Sequence, residues 1–331
     1  QEFMLVDTAG MRRHKNVSDS VEHYSTLRAL RSLSQCDVAV LLLDATQGPT
    51  EQDAKILGVA HEEGRGIVIG VNKWDLIEKD PGQYHWQDLD WQMNLAAEKK
   101  VKIMLAIGYK TPRWPECHIP NWVSTNSEER KKQLENFMQA VVERYYNHPA
   151  LEIWQVENEP FLNFGICDKI SVADVDREIA LVKKLDPNHQ VITTDSGELS
   201  TWRKIANRTD LFGTTLYRVT WNKYLGNFNY GWFLPTFVYR AKLWFNNRDI
   251  TTAYVSELQA EPWIADKKLT ETPLEEQFDS VDLEQLKKNI EFTKKVGMPR
   301  AYLWGAEWWY WLETKGEPGF SEYVKGLNKA N

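Results

Sequence analysis

Glu152-Ile153-Trp154-Gln155-Val156-Glu157, followed directly by Asn158-Glu159-Pro160, sets an apolar run against a cluster of carboxylates. The β-branched and aromatic residues favour a strand over 152–157. Pro160, with fixed φ and no N–H for a ladder, marks its end. One run of this kind precedes it at 102–108, and four more follow at intervals, at 191–195, 211–217, 252–257 and 300–304. Helical patterns fill the gaps. The clearest covers 128–146, where Leu134, Phe137, Met138, Val141 and Val142 fall on one face; 174–185 and 283–296 are two more. Strands alternating with helices predict an α/β fold with a parallel sheet. Repeated over about 250 residues, the pattern predicts a (β/α)8 TIM barrel, of which six units are visible after residue 81.

The chain has 331 residues, 42% apolar and 26% charged, enough to bury a sizeable core. Its 47 acidic against 40 basic residues give a formal charge of -7, which argues against a nucleic-acid partner. No apolar run approaches the roughly 18 residues of a membrane span, so no membrane partner is expected. Gln1-Glu2-Phe3 opens without the basic flank and apolar segment of a signal peptide, and as written the chain is expected in the cytoplasm. Cys36, Cys117 and Cys167 form no CxxC pair and meet no histidine cluster of zinc spacing, so neither metal nor other cofactor is expected. One bridge between Cys117 and Cys167 is left open. The outlier is aromatic: 15 Trp, 13 Tyr and 12 Phe, the first tryptophan being Trp74. Flat apolar rings suit sugar-binding clefts and suit cores equally well.

Residues 1–80 have a different character. Strand-like runs at 3–6, 38–43 and 67–71 each end in a polar turn, and 50–63 reads as a helix stopped by Gly64. Two of these turns are Asp7-Thr8-Ala9-Gly10 and Asn72-Lys73-Trp74-Asp75. On these two elements and the text between them, the region resembles the Der-type ribosome-assembly GTPases. The resemblance implies that Asp7 and Gly10 match the element approaching magnesium and the terminal phosphate. Asn72, Lys73 and Asp75 match the guanine-reading element. The phosphate-binding loop, glycines followed by Lys and Ser or Thr, occurs nowhere in the chain. The region is therefore read as a GTPase remnant; GTP hydrolysis is not expected, and GTP binding is kept as an alternative.

The chemistry lies at strand ends, the face of a barrel where catalytic groups gather. Glu159 ends the run at 152–157, and Glu257 ends the one at 252–257. Glycosidic cleavage needs one carboxyl to protonate the leaving oxygen and a second to meet the developing cation. In retaining enzymes the two stand about 5–5.5 Å apart. On Asn158-Glu159-Pro160 and the positions in register with it, residues 75–331 resemble a clan A glycoside hydrolase near family 5, lacking its first two βα units. The resemblance implies a retaining enzyme acting on a β-linked oligo- or polysaccharide. By it, Glu159, at the end of the fourth strand, is the acid/base, and Glu257, on the seventh, is the nucleophile. Asn158 would bind the sugar 2-hydroxyl, Tyr217 would position the nucleophile, and Trp304 would form the platform under the reacting sugar. The usual arginine of the second strand is not visible.

Other residues are weighed beside these. Glu261 competes with Glu257 for the nucleophile's place. Glu157 should point away from Asn158, to a barrel wall or a buried pair. Glu198 and Glu307 suit sugar hydroxyls or loop structure, and Trp114, Trp263, Trp308 and Trp309 suit stacking on sugars or core packing. His118 and His148 read as structural. The two resemblances overlap at Trp74-Asp75-Leu76-Ile77-Glu78-Lys79, so the chain reads as a chimera, with a GTPase-like fragment at 1–80 and a glycosidase barrel at 81–331. A strand, helix and strand over 37–72 can replace the missing two units. That predicts pairing of 67–71 with 102–108 and of 38–43 with 300–304, residues 1–36 left outside, and weakened turnover. A carbohydrate-binding pseudoenzyme is the remaining alternative.

Overall fold

A computed structural model describes residues 73–329, apart from 114–115, 125–126, 223–225 and 265–268. They lie in the second of the two units into which the chain divides, Ile69–Asn331. The expected elements at 3–6, 38–43, 50–63 and 67–71 and their pairings fall outside the described residues, as do Asp7, Gly10, Asn72 and Trp114.

All six expected runs after residue 81 are strands: β1 (Ile103–Ile107), β2 (Leu151–Val156), β3 (Gln190–Asp195), β4 (Leu211–Leu216), β5 (Ala253–Gln259) and β6 (Ala301–Trp304). They form one parallel sheet in strict sequence order, each hydrogen-bonded to the next. Parallel neighbours need crossovers, and crossovers of one hand put every helix on the same side when the strand order never reverses. Those helices are α1 (Gln87–Glu98), α2 (Ser127–Tyr145), α3 (Val172–Leu185), α4 (Thr236–Phe245), α5 (Leu283–Val296), α6 (Ala306–Glu313) and α7 (Gly319–Lys329). The β3–β4 connection, 196–210, is made of turns.

Local sequence explains the helix limits. Ser171 and Asp174 form a reciprocal capping box at the start of α3, and Lys183 and Lys184 lie in its last turn, where the helix dipole favours cations. Asp282 caps α5, which Gly297 ends at φ 85. The apolar face of α2 is buried against the sheet: Phe137, Met138, Val141 and Val142 are at most 1% exposed. Trp154, Val156, Leu105 and Phe212 join the same core layer between sheet and helices.

The opposite face of the sheet has its own small core. Ile153, Ile192, Leu211 and Tyr254 form a separate cluster, with Met104 and Tyr302 packed against it, one side chain from each of the six strands. First and last strands thus reach the same interior, which a flat sheet six strands wide forbids. Below this layer, Arg300, just before β6, bonds Glu152 of β2 at 2.9 Å. Above it, Arg113, beyond β1, bonds Glu307, beyond β6, at 3.1 Å. The sheet is therefore curled into an arc of a β/α barrel with the helices outside. Its two outer edges, on β1 and β6, pair with no strand among the described residues. No helix of the described residues is long and apolar enough to cross a membrane.

Residues 73–84 pack onto this unit. Trp74 is 1% exposed, stacks on Phe137 of α2 and donates from Nε1 to Glu78 at 2.8 Å. Glu78 also accepts the Gly82 N–H. Cys117 and Cys167 form a disulfide that joins the loop after β1 to the loop after β2.

Candidate active site

The chain leaves β2 through two residues with positive φ, Glu157 at 59° and Glu159 at 45°. L-residues avoid this region, so neighbours must hold them there. The Glu157 N–H donates to the Ile107 carbonyl (3.0 Å) and the Asn158 N–H to the Lys110 carbonyl (2.8 Å). The Glu159 N–H donates to Thr194 Oγ1 at 2.9 Å. The Glu157 carboxylate turns back and accepts the Tyr109 and Lys110 N–H groups. Its close approach needs Gly108, where an added Cβ would lie 2.4 Å from Glu157 Oε1. Glu157 also shares a hydrogen bond with Glu178 of α3, a buried pair of carboxyls. Burial and the Glu157 charge raise the Glu178 carboxyl far enough to hold the shared proton.

Asn158 Oδ1 accepts from Gln155 Nε2 (3.1 Å) and Thr194 Oγ1 (2.9 Å). Both donors on the oxygen leave the amide N–H groups free to face Glu257 and Glu116. Glu159 Oε1 accepts from Thr215 Oγ1 at 3.0 Å. A register shift between Thr214 and Thr215 sets Thr215 opposite Glu257. Glu257 Oε2 accepts from the Tyr217 hydroxyl at 3.0 Å, while its Oε1 has no protein partner among the described residues. Burial, then the Glu257 charge, raises the Tyr217 phenol, which keeps its proton and donates.

Burial is the largest influence on both carboxyls, and their surroundings then separate them. Burial followed by the Glu257 charge lifts Glu159 well above the ordinary carboxyl range. Burial followed by the charge of Glu116 pushes Glu257 up to about 7, against which Tyr217, Asn158 and Arg113 favour its ionised form. Of the two, Glu257 is the first to ionise, and its charge keeps the proton on Glu159.

Sequence reasoning missed several members of this site. Glu116 is 7% exposed, its Oε2 has no partner among the described residues, and burial raises its carboxyl. Lys110 is 1% exposed. Arg113 holds Glu261 with both terminal nitrogens (2.5 and 3.3 Å) and lies 4.5 Å over the Trp304 ring. Glu261 is thereby tied to an arginine, and one face of Trp304 is covered. The available signal was the charged text Lys110-Thr111-Pro112-Arg113, directly after a strand end.

Trp263, half-buried, meets Tyr217 edge-on at 5.3 Å and Phe164 at 5.4 Å. Trp308 and Trp309 are core residues, donating to Gln277 Oε1 and the Ala260 carbonyl. Glu198 accepts from the Tyr239 hydroxyl at 2.7 Å. His148 lies beside Asn94, and His118 Nε2 meets the Arg113 carbonyl. Asp75 Oδ1 lies 3.8 Å from His118 Nδ1, which lowers its carboxyl, and burial lowers the neighbouring Lys73. No group of three or more His, Cys, Asp or Glu suited to a metal occurs among the described residues.

The family model of the elongation factor Tu GTP binding domain matches residues 2–151. GTPase Der of Caldanaerobacter subterraneus subsp. tengcongensis is 54% identical over 84 residues, 25% of this chain and 19% of that protein. GTPase Der of Desulforamulus reducens is 49% identical over 106 residues, 32% and 22% of the two chains. This chain thus spans about a fifth of the length of the curated relatives it matches. Among solved structures, a GH10 endoxylanase retrieved from a sugarcane soil metagenome superposes with a TM-score of 0.53. The match covers 77% of this chain and 82% of that one at 14% identity, a likeness of fold. Two likenesses meet in one chain. A stretch similar to the Der GTPases is joined to a unit with the barrel fold of glycoside hydrolases.

Proposed function

We propose that the 81–331 region is a retaining glycoside hydrolase acting on a β-linked glycan. The observation that carries this reading is the unequal pair: Glu159, buried against Thr215 and raised further by the Glu257 charge, and Glu257, whose ionised form is favoured by Tyr217 and Asn158 against burial. Both carboxyls are raised, and the one that ionises first and the one that keeps its proton can perform the two halves of a double displacement. Glu159 gives its proton to the glycosidic oxygen while the Glu257 carboxylate bonds to the anomeric carbon and the leaving group departs. Glu159, now ionised, takes a proton from water, whose oxygen displaces the Glu257 ester and restores both groups. Asn158 offers its amide N–H groups to the sugar 2-hydroxyl, and Tyr217 holds the nucleophile in line. Trp263 and the free face of Trp304 form apolar walls for the sugar.

The test is turnover of aryl β-glucosides, aryl β-mannosides and cello-oligosaccharides by the whole chain and by Glu159→Ala and Glu257→Ala. Both variants are expected to lose hydrolysis. Azide is expected to rescue Glu257→Ala with a glycosyl azide of inverted configuration, and Glu159→Ala with one of retained configuration. Sugar binding without hydrolysis by the folded chain would instead mark a binding protein.

A further inference from the structure

Lys110 lies in the loop after β1, with its side chain fully buried. Its Nζ donates to the Glu159 carbonyl at 3.1 Å and to the Leu162 carbonyl at 3.1 Å. Its backbone N–H donates to the Glu157 carboxylate at 2.7 Å, and its carbonyl accepts the Asn158 N–H at 2.8 Å. One residue thus grips all three of Glu157, Asn158 and Glu159, and only the grip on Glu159 comes from the side chain. A buried lysine is expensive to desolvate and persists where fixed acceptors receive it.

We propose that Lys110 is the positioning residue of the acid/base: by holding the Glu159 and Leu162 carbonyls it fixes the turn that aims the Glu159 carboxyl at the glycosidic oxygen. The inference rests on the glycosidase reading above. Glu159 sits at positive φ, and its backbone N–H is already held by Thr194. On the carbonyl side of the same residue the Leu162 N–H donates at 3.0 Å within the turn, and Nζ adds the donor that ties this turn to the loop after β1. With the N–H and carbonyl both pinned, Glu159 cannot flip to an ordinary φ and swing its carboxyl out of the cleft. Without Nζ the two carbonyls keep only the Leu162 and Phe164 N–H groups, and the turn loses its tie to the loop after β1. A catalytic group displaced by about 1 Å loses on the order of 100-fold in rate.

Leaving groups separate this role from a merely structural one. An alkyl glycoside needs the Glu159 proton to depart, whereas a dinitrophenyl glycoside departs without it. Lys110→Met is expected to lower kcat/KM for the alkyl glycoside on the order of 100-fold and for the dinitrophenyl glycoside by less than about 3-fold. Glu159→Ala is expected to show the same asymmetry. Lys110→Arg, which keeps a donor in reach, is expected to recover part of the alkyl rate, and it carries the test if Lys110→Met does not fold by circular dichroism. Equal losses on both substrates, or none on either, would overturn the positioning role. If the unmodified chain fails even on the dinitrophenyl glycoside, the glycosidase reading itself fails, and this inference with it.

Discussion

Glu116 shows how a residue without a motif governs one that has it. Its charge is the largest influence on Glu257 after burial, and it lifts the carboxyl that must be ionised for attack. Glu116→Gln removes that charge and keeps the shape. The acid limb of the kcat/KM profile is expected to move to lower pH, on the order of one unit; an unmoved limb would show that the charge does not reach Glu257. Glu159 and Glu257 were legible because each stands at the close of an apolar run, although β2 stops at Val156, which leaves Glu159 in the turn beyond it, and β5 continues past Glu257 to Gln259. Glu116 and Lys110 were not. They lie in a loop whose path is set by a bridge between Lys110 and Cys117 and by the tie from Cys117 to Cys167, contacts that no local pattern encodes.

Among the elements, the six strands were read at their places because buried parallel strands are short, continuous apolar runs. Helices α2, α3 and α5 were found within two residues of their limits, since a sustained apolar face has one period only. The antiparallel hairpin of Val219–Asn222 with Gly226–Asn229 was not foreseen: Val219-Thr220-Trp221-Asn222 alternates apolar and polar, but each arm is only four residues long. The join between β1 and β2 also escaped notice, although it depends on one glycine. Gly108 has φ 135 and leaves room for the Glu157 carboxylate to reach two backbone N–H groups. Gly108→Ala brings both a forbidden backbone angle and a Cβ into that space. A loss of about 2–4 kcal/mol in urea unfolding is expected. A loss below about 0.5 kcal/mol, the size of an ordinary surface change, would mean the Glu157 grip can be rebuilt elsewhere.

For the whole molecule, the buried carboxyls set a pH at which the fold is firmest. Glu157, Glu198 and Glu257 are pushed up to about 7, and Glu159 and Glu178 are also raised, mainly by burial. A raised folded-state value means stability that is complete below the unfolded value and lost as pH rises through the folded one. Asp90, Asp186 and Asp210 are lowered by their partners, and their contribution is lost as pH falls into the acid range. The thermal midpoint is therefore expected to peak near about pH 5 and to decline toward pH 8; a flat profile across that interval would refute it. Catalysis asks for the reverse, an ionised Glu257, so greatest stability and greatest activity belong to different pH values. The barrel class was legible from six repeats, and the curl from neither composition nor period, because it lives in contacts such as Met104 and Tyr302 reaching one interior cluster. The cystine between the loops after β1 and β2 adds a dependence of another kind. Where glutathione and thioredoxin keep thiols reduced, such a link does not persist, and the segment carrying Lys110, Arg113 and Glu116 keeps only its hydrogen bonds and ion pairs. Any rate measured for this protein is then also a record of the redox history of the sample.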